Sequence, residues 1–197
     1  REVHHRVKNN LNIVSSLLNL QAQRARTTEE ALQGLIDSRN RVFAMGRVHD
    51  ALLQSGTLTR IAMGPYLRGV VAQVTTPHRD DGAAGVRVEA GTATLDIDRA
   101  VPCGLLVNEL LSIAVRKRAG FGRDDGASGL RVALTAHGTD AFELVVRDEA
   151  PPPTDGNERE DTNSLSGHLV SALVEQLRGS LTVKSDGGMS WSVRFPG

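Results

Sequence analysis

Residues 1–60 contain no proline, have glycine only at positions 34, 46 and 56, and carry two apolar stripes at helical spacing. That stretch constrains the fold more than any other. His4, Val7, Leu11, Val14 and Leu18 advance by alternating steps of three and four, which predicts a helix with a heptad-like seam. Thr27 or Thr28 then supplies an N-cap, with Glu29 and Glu30 in the first turn, where the helix dipole favours acids. A second helix follows. Its stripe is Leu32, Leu35, Ile36, Val42, Phe43, Met45, Val48 and Leu52, and Ser55-Gly56 ends it. A two-helix hairpin cannot bury both stripes alone. Pairing with a second copy would complete a four-helix bundle, so a homodimer through residues 1–58 is expected.

Beyond residue 60 the periodicity becomes mixed. Pro65–Val74 reads as helix, Val86–Ala90 and Ala93–Ile97 alternate like strands, and Pro102–Arg118 is a second apolar helix. Leu130–Ala136 and Phe142–Arg147 alternate on either side of His137-Gly138-Thr139-Asp140, which predicts a hairpin. Leu165–Leu177 is helical, and Ser180–Val183 and Ser190–Phe195 flank the turn Asp186-Gly187-Gly188. Helices interleaved with mostly antiparallel strands imply an α/β sandwich with helices on one side of a sheet. The expected class is α+β, with a helical hairpin over 1–58 and the sandwich over 59–197.

Charge and composition exclude several functions. The chain has 23 Lys+Arg and 23 Asp+Glu, which argues against a general nucleic-acid binder or a polybasic membrane-surface protein. Residues 1–60 hold nine basic and five acidic residues, so any local excess is modest. Aromatics make up 3% of the chain, too few for a base-stacking platform. Cys103 is the single cysteine, which rules out an internal disulfide and any multi-cysteine zinc site and suits a reducing cytoplasm. His78, His137 and His168 are scattered without metal-ligand spacing, so no metal site is expected. No apolar run approaches the roughly 20 residues needed to span a bilayer, so no membrane contact by this segment is expected.

The most informative string is Glu2-Val3-His4-His5-Arg6-Val7-Lys8-Asn9-Asn10-Leu11. It resembles the phosphoacceptor helix of bacterial sensor histidine kinases, in the branch related to the HWE kinases, whose signature reads H-R-V-K-N. Ser38–Met45 and Val48–Leu52 resemble that branch's second helix, and Val101–Ala114, Leu144–Asp148 and Ser164–Pro196 resemble the ATP-binding domain of the GHKL class. The resemblance marks His5 as the phosphoacceptor. Periodicity agrees, because His4 falls on the apolar seam and His5 is rotated off it. A phosphoryl-carrying histidine needs a neutral ring nitrogen at an accessible surface. Asn9 lies one turn further on the same face, where its amide can orient a water or phosphoryl oxygens. Arg6 and Lys8 bring positive charge to the transferring group. His49 is read as a packing or capping residue.

The GHKL resemblance also allows the ATP site to be checked piece by piece. The family's N box, N-E-L-x-x-N-A-x-K-H, here reads Asn108-Glu109-Leu110-Leu111-Ser112-Ile113-Ala114-Val115-Arg116-Lys117. Glu109 survives, but Ile113 stands where the magnesium-binding asparagine belongs and offers no oxygen to a hard cation. The adenine-binding D-x-G-x-G reads Asp148-Glu149-Ala150-Pro151-Pro152-Pro153, so Asp148 remains while both glycines are replaced. The third piece, Ser164-Leu165-Ser166-Gly167-His168-Leu169-Val170, has its glycine displaced by one residue at a helix start meant to face phosphates. Asp148–Asp161 adds six acids against Arg159 alone where a triphosphate would sit. Asn108, Glu109 and Asp148 are therefore read as a remnant site, with ATP and magnesium binding lost and no cofactor expected.

The expectation is a two-component phosphorelay protein. His5 would exchange phosphoryl groups with a response-regulator receiver domain, as a phosphotransferase or as a phosphatase, without ATP hydrolysis. Other sensor-kinase families place an acid directly after the histidine for dephosphorylation, and Arg6 stands there instead. The alternative is the family's ordinary activity, an ATP-dependent kinase that autophosphorylates His5. A pure interaction module with His5 idle is the third possibility.

Overall fold

The computed structural model describes residues 25–55, 60–75, 86–120, 129–138, 141–150 and 165–197, together with Ser15, Leu18, Asn19, Ala22 and Gln23, all helical. Of the first apolar seam only Leu18 falls among these residues, and it is exposed. The first continuous element is α1 (Thr28–Ser55). Its start is a reciprocal cap. Thr27 Oγ1 accepts from the Glu30 N–H at 3.1 Å, and Glu30 Oε2 accepts from the Arg26 N–H at 2.7 Å.

The apolar residues of α1 divide between two faces. Val48 is buried and Ile36 and Met45 are half-buried, whereas Leu32 and Leu35 remain 59% and 62% exposed, and Val42 and Phe43 are exposed too. The face that enters the core is Ser38, Arg41, Ala44 and Val48. Steps of three and four connect these positions, but two of them are polar, so hydrophobicity alone does not single out this face.

After α1 come β1 (Arg60–Ala62), α2 (Met63–Thr75), β2 (Arg87–Glu89), β3 (Thr94–Asp96) and α3 (Ile97–Gly120). Then follow β4 (Leu130–His137), β5 (Ala141–Asp148), α4 (Leu165–Gln176), β6 (Ser180–Ser185) and β7 (Met189–Pro196). β1 and β3 pair antiparallel as a small separate ribbon. The main sheet has the order β2-β4-β5-β7-β6, parallel between β2 and β4 and antiparallel elsewhere. Both expected hairpins form. The glycines at their turns, Gly138 and Gly187, have φ of 67° and 63°.

The helix expected from Pro102 starts earlier, at Ile97. Asp96 explains this, because its Oδ1 accepts from the Arg99 N–H at 3.0 Å and caps the helix ahead of the proline. Pro102 then sits inside the helix and forgoes a single backbone bond. The core lies between α3 and the inner sheet face, where Leu105, Leu106, Val132, Val146, Trp191 and Val193 are buried. Cys103 is also buried, which pushes its thiol up to about 12. None of the described helices is long and apolar enough to cross a membrane.

One contact fixes how three helices meet. The buried Tyr66 hydroxyl of α2 donates to the Ala44 carbonyl of α1 at 3.1 Å, passing over Gly104 of α3. A Cβ on Gly104 would lie 1.9 Å from that hydroxyl. We expect Gly104→Ala to lower stability by about 2–3 kcal/mol through overpacking, measured by urea unfolding, and Tyr66→Phe in the same background to recover part of the loss.

Candidate functional site

His5, Arg6, Lys8 and Asn9 lie outside the described residues. Asn108, Glu109 and Asp148 lie within them, and each is buried.

Glu109 projects from α3 toward α1. Its two carboxylate oxygens accept from Arg41 Nε at 2.8 Å and from Arg41 Nη2 at 2.7 Å, a bidentate pair with both residues 1% exposed. The neighbouring Asn108 donates through Nδ2 to Glu109 Oε1 at 2.9 Å. Asn108 Oδ1 and Arg41 Nη1 are buried without a hydrogen-bond partner. Ile113, one turn further along α3, is half-buried and packs against the hydrophobic core.

A second ion pair runs beside the first. Arg116 of α3 donates through Nη1 to both oxygens of Asp37 at 3.2 Å, and its Nη2 donates to Ser166 Oγ of α4 at 3.3 Å. Gln33 adds a hydrogen bond to Asp37 at 3.0 Å. Burial pushes the Asp37 carboxyl above its ordinary value, and Arg116 offsets this only in part. Asp37 and Arg41 lie four residues apart on one face of α1, so the two pairs form a continuous polar seam against α3.

Asp148 ends β5 and is held differently. Arg118 Nε donates to its two oxygens at 3.2 and 3.1 Å, and Arg118 Nη2 also donates to Oδ1. The Ala150 N–H donates to Asp148 Oδ1 at 2.9 Å, and the Glu149 N–H donates to the Gly129 carbonyl at 2.9 Å, which fixes the strand end. Gly188 packs on the same backbone. Its φ is 145°, and a Cβ there would meet the Asp148 carbonyl oxygen at 2.2 Å.

The structure thus brings Asn108 and Glu109 together and ties Asp148 to the same helix nine positions further on, about 13 Å of helical rise away. Arg41, Arg118, Asp37 and Arg116 were not among the residues singled out from sequence. The available signal was the spacing of Asp37 and Arg41, an acid and a base four residues apart in a predicted helix. No group of three metal-ligating side chains occurs among the described residues.

Residues 2–77 match the HisKA_2 family model, described as histidine kinase. The sensor histidine kinase PdtaS of Mycolicibacterium smegmatis is 33% identical over 100% of this chain, which covers 39% of that relative. Blue-light-activated histidine kinase 2 of Erythrobacter litoralis is 27% identical over 94% of this chain and 53% of its own length. The chain therefore spans about two-fifths to one-half of these relatives. Among solved structures, the blue-light activated histidine kinase EL346 of Erythrobacter litoralis superposes with a TM-score of 0.71 at 26% identity, covering 99% of this chain and 57% of that one. The histidine kinase domain of EL346 gives 0.66 at 20% identity over 94% of this chain and 95% of that one, a likeness of fold.

Two measurements test the polar seam. Arg41→Ala and Glu109→Ala should each cost about 3–5 kcal/mol, because each strands a buried charge, whereas Arg41→Met with Glu109→Leu should return to within about 2 kcal/mol of the parent. A urea-unfolding double-mutant cycle reads both. Asp37 sets the second. An acid whose pKa rises on folding takes up protons as the chain folds, so its contribution falls as pH climbs from its ordinary 3.8 through the raised folded value. Asp37→Asn should flatten that limb of the stability–pH profile.

Proposed function

The chain belongs to the histidine kinase family, and from that premise we propose that it exchanges phosphoryl groups with response-regulator receiver domains through His5 without turning over ATP. Residues 1–58 serve as the dimerising, phosphoryl-carrying hairpin and residues 59–197 as a domain that keeps the nucleotide-binding fold without its chemistry. The exposed Leu32, Leu35, Val42 and Phe43 of α1 are the surface on which a second copy would close the bundle.

One observation carries this reading. Glu109, the acid that the family resemblance places at the reacting centre, has both oxygens held by Arg41 in a buried bidentate pair. A carboxylate so engaged cannot accept a proton from a histidine or help position a metal without first breaking that pair. Two further features agree. Ile113 supplies no oxygen for magnesium, and Asp148 is committed to Arg118 and the Ala150 N–H rather than to an adenine amino group. The residues present do not fit a magnesium nucleotide, so no step of the proposed reaction runs through one.

The chemistry left to the chain needs no nucleotide. A neutral ring nitrogen of His5 attacks the phosphorus of a receiver's aspartyl phosphate. The N–P bond forms as the acyl O–P bond breaks, and the carboxylate leaves. Arg6 and Lys8 offset charge on the phosphoryl oxygens, and the reverse step delivers the group to a second receiver. In the phosphatase variant, Asn9 orients a water in place of the ring nitrogen, and inorganic phosphate is released.

Labelled ATP with magnesium should leave no acid-labile label on the protein, while a labelled phospho-receiver should transfer label to His5 and lose that ability in His5→Ala. Free phosphate without label on His5, reduced in Asn9→Ala, identifies the phosphatase. Appreciable labelling from ATP would overturn the proposal and make the chain an autokinase. Unchanged receiver dephosphorylation in His5→Ala and Asn9→Ala would reduce it to a binding module.

A further inference from the structure

Among the described residues, no helix covers the outer face of the main sheet. Strand register places Arg87 of β2 beside Arg131 of β4, Arg131 beside Arg147 of β5, Arg147 beside Ser190 of β7, and Ser190 beside Lys184 of β6. All of these point away from the core, because the adjacent Val132, Val146 and Trp191 are buried on the inner face. Four cations therefore stand in one row across the sheet, about 19 Å long at ~4.8 Å per strand.

That row carries an energetic cost. Like charges directly opposite each other on neighbouring strands repel, and Arg87, Arg131 and Arg147 are three in succession. Glu89 pairs with Arg131, but Arg87, Arg147 and Lys184 have no ion-pair partner among the described residues. The other acid on this face, Glu143, lies two rows away and is engaged by Ser192 Oγ at 2.7 Å and His137 Nε2 at 3.1 Å. The fold gains nothing from the repulsion. Threonine or glutamine would serve an exposed strand without it.

We propose that this row docks an extended acidic peptide segment of a partner protein. Acids border the strip on both sides, Glu89 within the sheet and Glu149 and Asp186 beyond the strand ends. A single extended chain following the row pairs its carboxylates with the guanidinium groups and avoids these acids. A duplex nucleic acid is wider than the strip and would meet them. The strands' outward positions also carry no Phe, Tyr or Trp on which a base could stack, and the His137 ring is engaged by Glu143.

The test uses the full chain and a fluorescent dodecapeptide of alternating glutamate and serine. Saturable binding is expected, weaker at 200 mM than at 50 mM salt, and weakened at least tenfold by Arg87→Gln with Arg147→Gln. The melting temperature of that double variant should equal or exceed the parent's, since repulsion has been removed. Absent binding, binding unchanged in the variant, or a marked fall in its melting temperature would overturn the proposal. So would tighter binding of a single-stranded or duplex oligonucleotide than of the peptide. Peptide binding that appears only after Asp155, Glu158, Glu160 and Asp161 are neutralised would overturn it too, assigning the row to the chain's own acidic stretch.

Discussion

A guanidinium and a carboxylate can share a protein interior only when each satisfies the other, and the packing of α1 on α3 rests on Arg41 and Glu109 meeting that condition. Each ion alone would cost several kcal/mol to remove from water. Together, in bidentate geometry at 2.7–2.8 Å, they allow a polar face of α1 to enter the core beside Ala44 and Val48. Tyr66 and Gly104 then fit the space that this packing leaves. The same pair engages the carboxylate that the resemblance to kinase motifs places at the reacting centre. The contact that holds α1 in place and the one on which the proposed function rests are therefore one contact.

Much of the fold was legible in the sequence, for identifiable reasons. Strand alternation and glycine-containing turns mark both hairpins, and Thr27 or Thr28 with Glu29 and Glu30 marks the start of α1, where Thr27 and Glu30 form the cap. α3 starts at Ile97 rather than at the expected Pro102, because the Asp96 cap acts ahead of the proline. The face of α1 that enters the core is not marked by hydrophobicity either. Leu32, Leu35, Val42 and Phe43 stay exposed, and the buried face carries paired charges that a hydrophobic pattern does not register.

The sequence offers candidate site residues but not their geometry. Asn108, Glu109 and Asp148 stand out in the sequence as polar residues of the resembled motifs, and the fold buries all three. Their partners do not stand out, because Arg41 lies 68 residues from Glu109 and Arg118 lies 30 from Asp148. No local spacing rule reaches that far. Glu109 and Asp148 are held in internal ion pairs, which become visible only in a fold that brings α1 onto α3 and β5 beside the end of α3.

The crossed pairs between α1 and α3 also encode polarity. Along α1 an acid at 37 precedes a base at 41, and along α3 an acid at 109 precedes a base at 116. Run in opposite directions, the helices match each sign with its complement. Turned end for end, Asp37 would confront Glu109 and Arg41 would confront Arg116. The helices' relative orientation is thus written in the order of four charges, and a mirror-wise docking is rejected before any side chain is packed.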